Sequence, residues 1–170
     1  VGSTYDEPLP RAFIDDALTG NIPVMWSGFN IWQLAKTDAD RAAFTQRYGW
    51  DAATSYIDSA DRVTKISYNG ASLKRNELNS GGIIAPHITR EKDVKVLGRA
   101  ECSKPDGAAT ACASVAQSGT TSFPWAVSSS GMTFIGEIPL TYLGEQDRYI
   151  AAADILLDFL QPGAQQLRQA

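Results

Sequence analysis

Three carboxylates, Glu137, Glu145 and Asp147, come nearest in type and spacing to a catalytic set. Two carboxyl groups held about 5–10 Å apart can hydrolyse a glycosidic bond, one as acid and the other as base or nucleophile. A plainer reading competes. Glu145 and Asp147 stand where the last helix should begin, and negative charge is stabilised at a helix N-terminus. Arg148 lies beside them as a partner.

Asp15 and Asp16 form a second pair, inside Phe13-Ile14-Asp15-Asp16. It looks like the paired aspartates of carbohydrate deacetylases, but those enzymes complete their metal site with two histidines. This chain has one, His87, and the pair falls in a predicted helix, where both side chains face solvent. His87 follows Pro86 in a strand-like stretch and reads as a structural or surface histidine rather than a general base. Ser27 is the one candidate nucleophile at a strand-to-helix elbow, yet G-x-S-x-G is absent. Gly28 to Leu34 does not match the dinucleotide pattern, and no phosphate-loop motif occurs. The sequence therefore supplies no metal site and no cofactor site, and the chain reads as non-catalytic.

Cys102 and Cys112 enclose nine residues that include Pro105-Asp106-Gly107. Such a segment turns back on itself, so a bridge across it is geometrically feasible. A bridge implies an oxidising compartment; two free thiols in a cytosolic chain are the alternative. The spacing is not that of a zinc knuckle.

Most aromatics lie on apolar faces and belong to the core. Trp50 and Tyr142 fall in predicted loops and are better placed for exposed contacts, such as stacking on a sugar ring. With Asn30 and Asp147 they occupy predicted turns or strand ends, where ligands collect in open α/β sheets. These four are the candidate ligand-binding residues.

The elements that must position these residues begin with Pro10 to Gly20. Phe13, Ile14, Ala17 and Leu18 share one helical face, and Gly20 suits a left-handed cap. Ile22 to Trp26 is a continuous apolar run, expected as a buried strand. Ile31 to Ala35 starts a short helix. Thr37-Asp38-Ala39-Asp40 opens a further helix ending at Gly49, with Ala43, Phe44 and Tyr48 inward. From about 55 to 138 the chain is strand-like, with hairpin signals at Asn69-Gly70 and Ser128-Ser129-Ser130-Gly131. The last helix carries Tyr149, Ile150, Ala153, Leu156, Leu157 and Leu160 at three- and four-residue steps, an apolar face opposed by Asp147, Arg148, Asp154 and Asp158.

The chain has 170 residues, one domain's worth, with 44% hydrophobic and 20% charged residues. A net charge of −4 with scattered Lys and Arg disfavours nucleic acid. No apolar run approaches the roughly 20 residues of a membrane span. The chain begins at Val1, as a processed chain or excised fragment would, with no signal peptide or lipidation motif. Residues 1–161 are expected to form a single domain, with 162–170 as a linker or tail.

Several segments recur together in one family. They are Val1-Gly2-Ser3-Thr4-Tyr5-Asp6-Glu7-Pro8-Leu9-Pro10-Arg11-Ala12-Phe13, Pro23 to Trp26 with Asn30 to Leu34, and Phe44 to Gly49. Pro124 to Val127, Ile138 to Tyr142 and Glu145-x-Asp147-Arg148-Tyr149 complete the series. In this order they resemble the non-catalytic domain that precedes the catalytic barrel in a secreted branch of bacterial polysaccharide-deacetylase-like proteins. The resemblance covers nearly the whole chain, and its order is more specific than any one segment. It implies a flavodoxin-like or class I glutamine-amidotransferase-like layered sheet without the nucleophilic cysteine, and no Cys stands near Ser27 to Asn30. It also implies further strands upstream, and catalytic metal ligands downstream of Ala170. The excursion from Cys102 to Cys112 departs from the family pattern as a local insertion.

The combined expectation is an α/β domain: a central, mostly parallel sheet with helices and an antiparallel β-rich extension. Outside the cytoplasm it would support or orient a downstream carbohydrate-esterase domain, or hold a polysaccharide. A carbohydrate hydrolase using Glu137, Glu145 and Asp147 is the enzymatic alternative, and a protein-assembly module is the third.

Overall fold

A computed structural model of the chain describes residues 8–20, 22–57, 62–76, 82–113 and 119–160. Helix α1 spans Arg11–Thr19 and is followed by strand β1, Val24–Ser27. A 3-10 turn at Ile31–Ala35 leads to α2, Asp38–Tyr48. Seven strands then run in succession: β2 Trp50–Ile57, β3 Val63–Tyr68, β4 Ala71–Lys74, β5 Ile83–Ile88, β6 Lys95–Cys102, β7 Ser122–Ser129 and β8 Met132–Ile135. Two helices close the fold, α3 at Pro139–Tyr142 and α4 at Asp147–Leu160.

The fold is mixed α/β. Six strands form one curled sheet in the order β1-β8-β7-β6-β3-β4, and β2 pairs with β5 in a second, small sheet. Where a mostly parallel central sheet was expected, only β1 and β8 run parallel. The other four neighbour pairs are antiparallel. Tight hairpins account for two of these pairs, β3/β4 and β7/β8. Asn69 and Gly70 adopt φ of 46° and 83°, and Ser130 and Gly131 adopt 45° and 82°, the left-handed pairs that two-residue hairpins need. The β3/β6 and β6/β7 pairs are antiparallel across longer connections, and the parallel β1/β8 pair joins strands far apart in the chain.

Both faces of the large sheet are covered, so β8 is buried at every position. On one face, α1, α2 and β2 enclose an aromatic cluster. Phe44 packs on Tyr48 and Trp50 with ring centroids 4.8 Å apart, and Trp50 lies 5.0 Å from Phe134. On the other face, Ile66, Leu73, Phe123, Trp125 and Ile135 meet β5, Leu143 and the Ala151–Ile155 side of α4.

Helix α2 forms as its sequence dictates. The Asp40 N–H donates to the Thr37 hydroxyl oxygen at 3.1 Å, and Gly49 ends the helix at φ 75°. Three local expectations need correction. Gly20 is extended (φ −73°, ψ 173°); a Cβ there would lie 2.5 Å from the Asp16 carbonyl oxygen, so the glycine serves close approach rather than a left-handed cap. Strand β1 is not buried throughout, because it is a sheet edge, and Ile22 and Met25 stay exposed. In α4 the long apolar row faces solvent; Ala151 and Ile155 alone are buried.

The excursion between β6 and β7 carries a Cys102–Cys112 disulfide with a Cα–Cα distance of 5.4 Å. Inside it, Gly107 N–H donates to the Lys104 carbonyl and Thr110 N–H to the Cys102 carbonyl. Both cysteines are buried. Among the described residues, no helix is long and apolar enough to cross a membrane.

Candidate functional site

The carboxyl end of the β1/β8 pair is where a ligand site is expected in a sheet with a parallel seam. Two glycines shape it. Leaving β1, Gly28 has φ 80°, and a Cβ there would stand 2.8 Å from Ile138 Cγ1. The loop from β1 is thereby pressed against the chain that leaves β8. Trp26 Nε1–H donates to the Phe29 carbonyl at 2.9 Å and fixes the turn. Asn30 follows at φ 67° and opens the 3-10 turn. Leaving β8, Gly136 passes so close to β5 that a Cβ would meet the Ile84 carbonyl oxygen at 2.4 Å. Its N–H donates to the Trp125 carbonyl at 2.7 Å. Only glycine lets the chain through here, and the path turns Glu137 into the interior.

Glu137 is completely buried. Trp125 Nε1–H donates to its Oε1 at 2.9 Å, and Arg75 Nε–H donates to its Oε2 at 2.8 Å. Burial holds its carboxyl above the usual carboxylate range, and Arg75 and Trp125 counteract part of that rise. Arg75 is buried as well, and its guanidinium lies 5.5 Å from the centre of the Tyr142 ring. Tyr142 is half-buried. Its carbonyl accepts from Asn76 N–H at 2.7 Å, and Phe29 meets its ring edge-on at 6.4 Å. Gly82 closes the corner: a Cβ there would lie 3.6 Å from Phe29 Cζ and 3.8 Å from the Tyr142 hydroxyl. The result is a small aromatic corner, Phe29 and Tyr142, with exposed Ser27 and Ile138 at its rim and a buried cation behind it.

Of the four candidate ligand residues, Tyr142 belongs to this corner and Asn30 adjoins it through Phe29. The other two lie elsewhere. Trp50, expected in a loop and exposed, opens β2 and is fully buried in the aromatic cluster. The reason is local: β2 starts directly after the Gly49 cap, with no loop between. Asp147 Oδ2 accepts from Lys74 N–H at 2.6 Å, and Gly144 N–H donates to the Lys74 carbonyl. Asp147 thus fastens the start of α4 to β4.

The three carboxylates of the hydrolase alternative have three different surroundings. Glu137 is sealed in the core with Arg75. Asp147 is tied to β4. Glu145 is 88% exposed and stands 3.8 Å from Arg148. Asp15 pairs with Arg11 at 2.6 Å on the α1 surface, and Arg11 also reaches Asp40 at 2.9 Å. That bond holds the Asp40 carboxyl below its ordinary range. His87 is exposed in β5.

Arg75, Trp125 and Phe29 were not singled out from the sequence. One signal pointed to the first two: Glu137 falls inside the strand-like stretch Met132 to Ile138, and a buried carboxylate requires donors. Nothing in Lys74-Arg75-Asn76 marks which cation turns inward. Comparisons with family models, curated proteins and solved structures returned no match.

Proposed function

We infer that this chain is a non-catalytic accessory domain that holds a glycan at the Phe29–Tyr142 corner. The observation that carries the reading is the position of that corner at the carboxyl end of the parallel β1/β8 pair. A half-buried tyrosine ring backed by a buried guanidinium is a group on which the C–H face of a sugar can stack. The resemblance to polysaccharide-deacetylase-like proteins supplies the context. In it, the domain supports or orients a downstream carbohydrate-esterase domain, outside the cytoplasm, where the disulfide is stable. The flavodoxin-like or amidotransferase-like layering stays attached to that resemblance. The hydrolase alternative is disfavoured by the burial of Glu137, which no substrate could reach without opening the core.

The test is a titration of the chain with acetylated and deacetylated amino-sugar oligosaccharides, followed by mass spectrometry of the mixture. The expected result is saturable binding without product, weakened tenfold or more by Tyr142→Ala and little changed by Asp147→Asn. Binding untouched by Tyr142→Ala, or no binding at millimolar sugar, overturns the site. Product formation overturns the non-catalytic reading.

A further inference from the structure

Five asparagines occur in the chain, and Asn69 alone is followed by glycine. This dipeptide makes the β3/β4 hairpin turn, between the paired residues Tyr68 and Ala71. It also touches the last helix. Asn69 Nδ2–H donates to Asp158 Oδ2 at 2.6 Å, and Tyr68 Oη–H donates to the same oxygen at 2.8 Å. These two bonds fasten the C-terminal half of α4 to the turn. Asp147, which accepts from Lys74 N–H, fastens the start of the helix separately.

We propose that Asn69 is a site of spontaneous deamidation, and that its acidic products release α4 from the hairpin. The reaction needs a backbone nitrogen free to attack the side-chain carbonyl carbon one residue back. Three features favour it here. Asn69 and Gly70 are both exposed to water. Among the described residues, the Gly70 N–H donates to no backbone carbonyl of the turns and loops. Gly70 carries no side chain, and nothing lies within 4 Å of where a Cβ would stand, which leaves space for a ring to close. Solvent base takes the Gly70 amide proton, and the nitrogen attacks Asn69 Cγ. A Cγ–N bond forms, the Cγ–Nδ2 bond breaks, and Nδ2 leaves as ammonia with a proton from water. The product is a cyclic imide. Water then adds to one of its two carbonyl carbons and opens the ring, to an aspartyl or an isoaspartyl residue. The co-reactant is water, and nothing is oxidised or reduced.

Both products add a negative charge at the turn. In the aspartyl form a carboxylate stands where a donor stood, against Asp158. Two carboxylates do not share such a place unless one of them takes up a proton, so the tie becomes a repulsion. Asp-Gly closes two-residue hairpins as Asn-Gly does, and the aspartyl form therefore keeps the turn and loses the helix. In the isoaspartyl form the main chain gains a methylene, and the left-handed pair at 69 and 70 is lost as well.

The inference is independent of the glycan reading, and its test reads mass and hydrogen exchange rather than binding. The 170-residue chain is held in warm, mildly alkaline buffer, either folded or in urea, and peptide-mapped by mass spectrometry over time. Asn69 should convert in the folded chain at no less than about a tenth of its rate in urea. An amide that stays intact at 69 in the folded chain, while the unfolded chain converts, overturns the site. Asn69→Asp then gives the aspartyl form without the reaction. In it, the backbone amides from Ile155 to Leu160 should exchange about tenfold faster than in the parent chain, with those of α2 unchanged. Adding Asp158→Asn to Asn69→Asp removes one of the two charges and should restore most of the lost protection. Exchange that is unchanged by Asn69→Asp, that rises equally in α2, or that is not slowed by Asp158→Asn overturns the release.

Discussion

Helix α2 packs on β2 and helix α4 on β4, and each puts a different kind of side chain into the contact. On α2, Phe44 and Tyr48 enter the core, and the polar side chains stay outside apart from Asp40, which Arg11 and Thr37 cover. On α4, two small or medium apolar residues touch the sheet, the carboxylates of Asp147 and Asp158 act as hooks on β3 and β4, and the strongest apolar row is left in water. Hydrophobic periodicity identifies a face that wants to be covered. It does not say by what. For α2 the cover is inside the domain; for α4 nothing among the described residues supplies it.

The comparison can be broken at its strongest point first. Trp50→Ala removes the centre of the α2-side aromatic cluster and should cost about 3–5 kcal/mol in denaturant unfolding. A loss below 1 kcal/mol would mean the cluster is not the core it looks like. On the α4 side, Arg75→Met leaves Glu137 without its ion pair and should also cost about 3–5 kcal/mol at neutral pH. Its pH dependence has a definite sign. The Glu137 carboxyl is raised in the folded state from its ordinary 4.5, so the folded chain holds that proton more tightly. Its contribution is fully present below 4.5 and is lost as pH rises through the raised value. The deficit of Arg75→Met should therefore shrink in acid, and Glu137→Gln should flatten stability against pH above 4.5.

Smaller effects sharpen the contrast. Replacing Cys102 and Cys112 together by serine should cost about 2–3 kcal/mol, measured against the oxidised chain. Thr37→Ala removes the α2 cap and should cost about 1 kcal/mol. Ile150→Ser on the open side of α4, measured at low concentration, should change stability by less than about 0.5 kcal/mol. A large loss there would place that face inside the fold.

Much of the frame was legible because it is set locally. Thr37 through Asp40 writes an N-cap, Gly49 its end, and Asn69-Gly70 and Ser130-Gly131 write hairpins that need no knowledge of the rest of the chain. What was not legible depends on distant partners. Trp50 followed a helix-ending glycine and read as a loop residue until β5 supplied its neighbour strand. Ile22 to Trp26 read as buried because nothing local reveals that β1 ends a sheet. The apolar row of α4 read as core because its competitors for the sheet surface, Asp147 and Asp158 on the same helix, find their partners at Tyr68, Asn69 and Lys74, 73 to 90 residues away in sequence. Of the corner, Tyr142 and Asn30 were found from the rule that ligands gather at strand ends. Phe29 and Arg75 were not, since only the glycines at 28, 82 and 136 bring their segments together.

The disulfide has one consequence beyond stability. It turns Cys102 to Cys112 into a covalent ring whose residues from Lys104 to Ala109 are exposed. A protease that cuts inside this ring separates nothing. The nicked chain keeps both halves and gains only the mass of one water, and the two fragments appear only after reduction. The molecule thus carries a stretch of surface that can be severed without being taken apart.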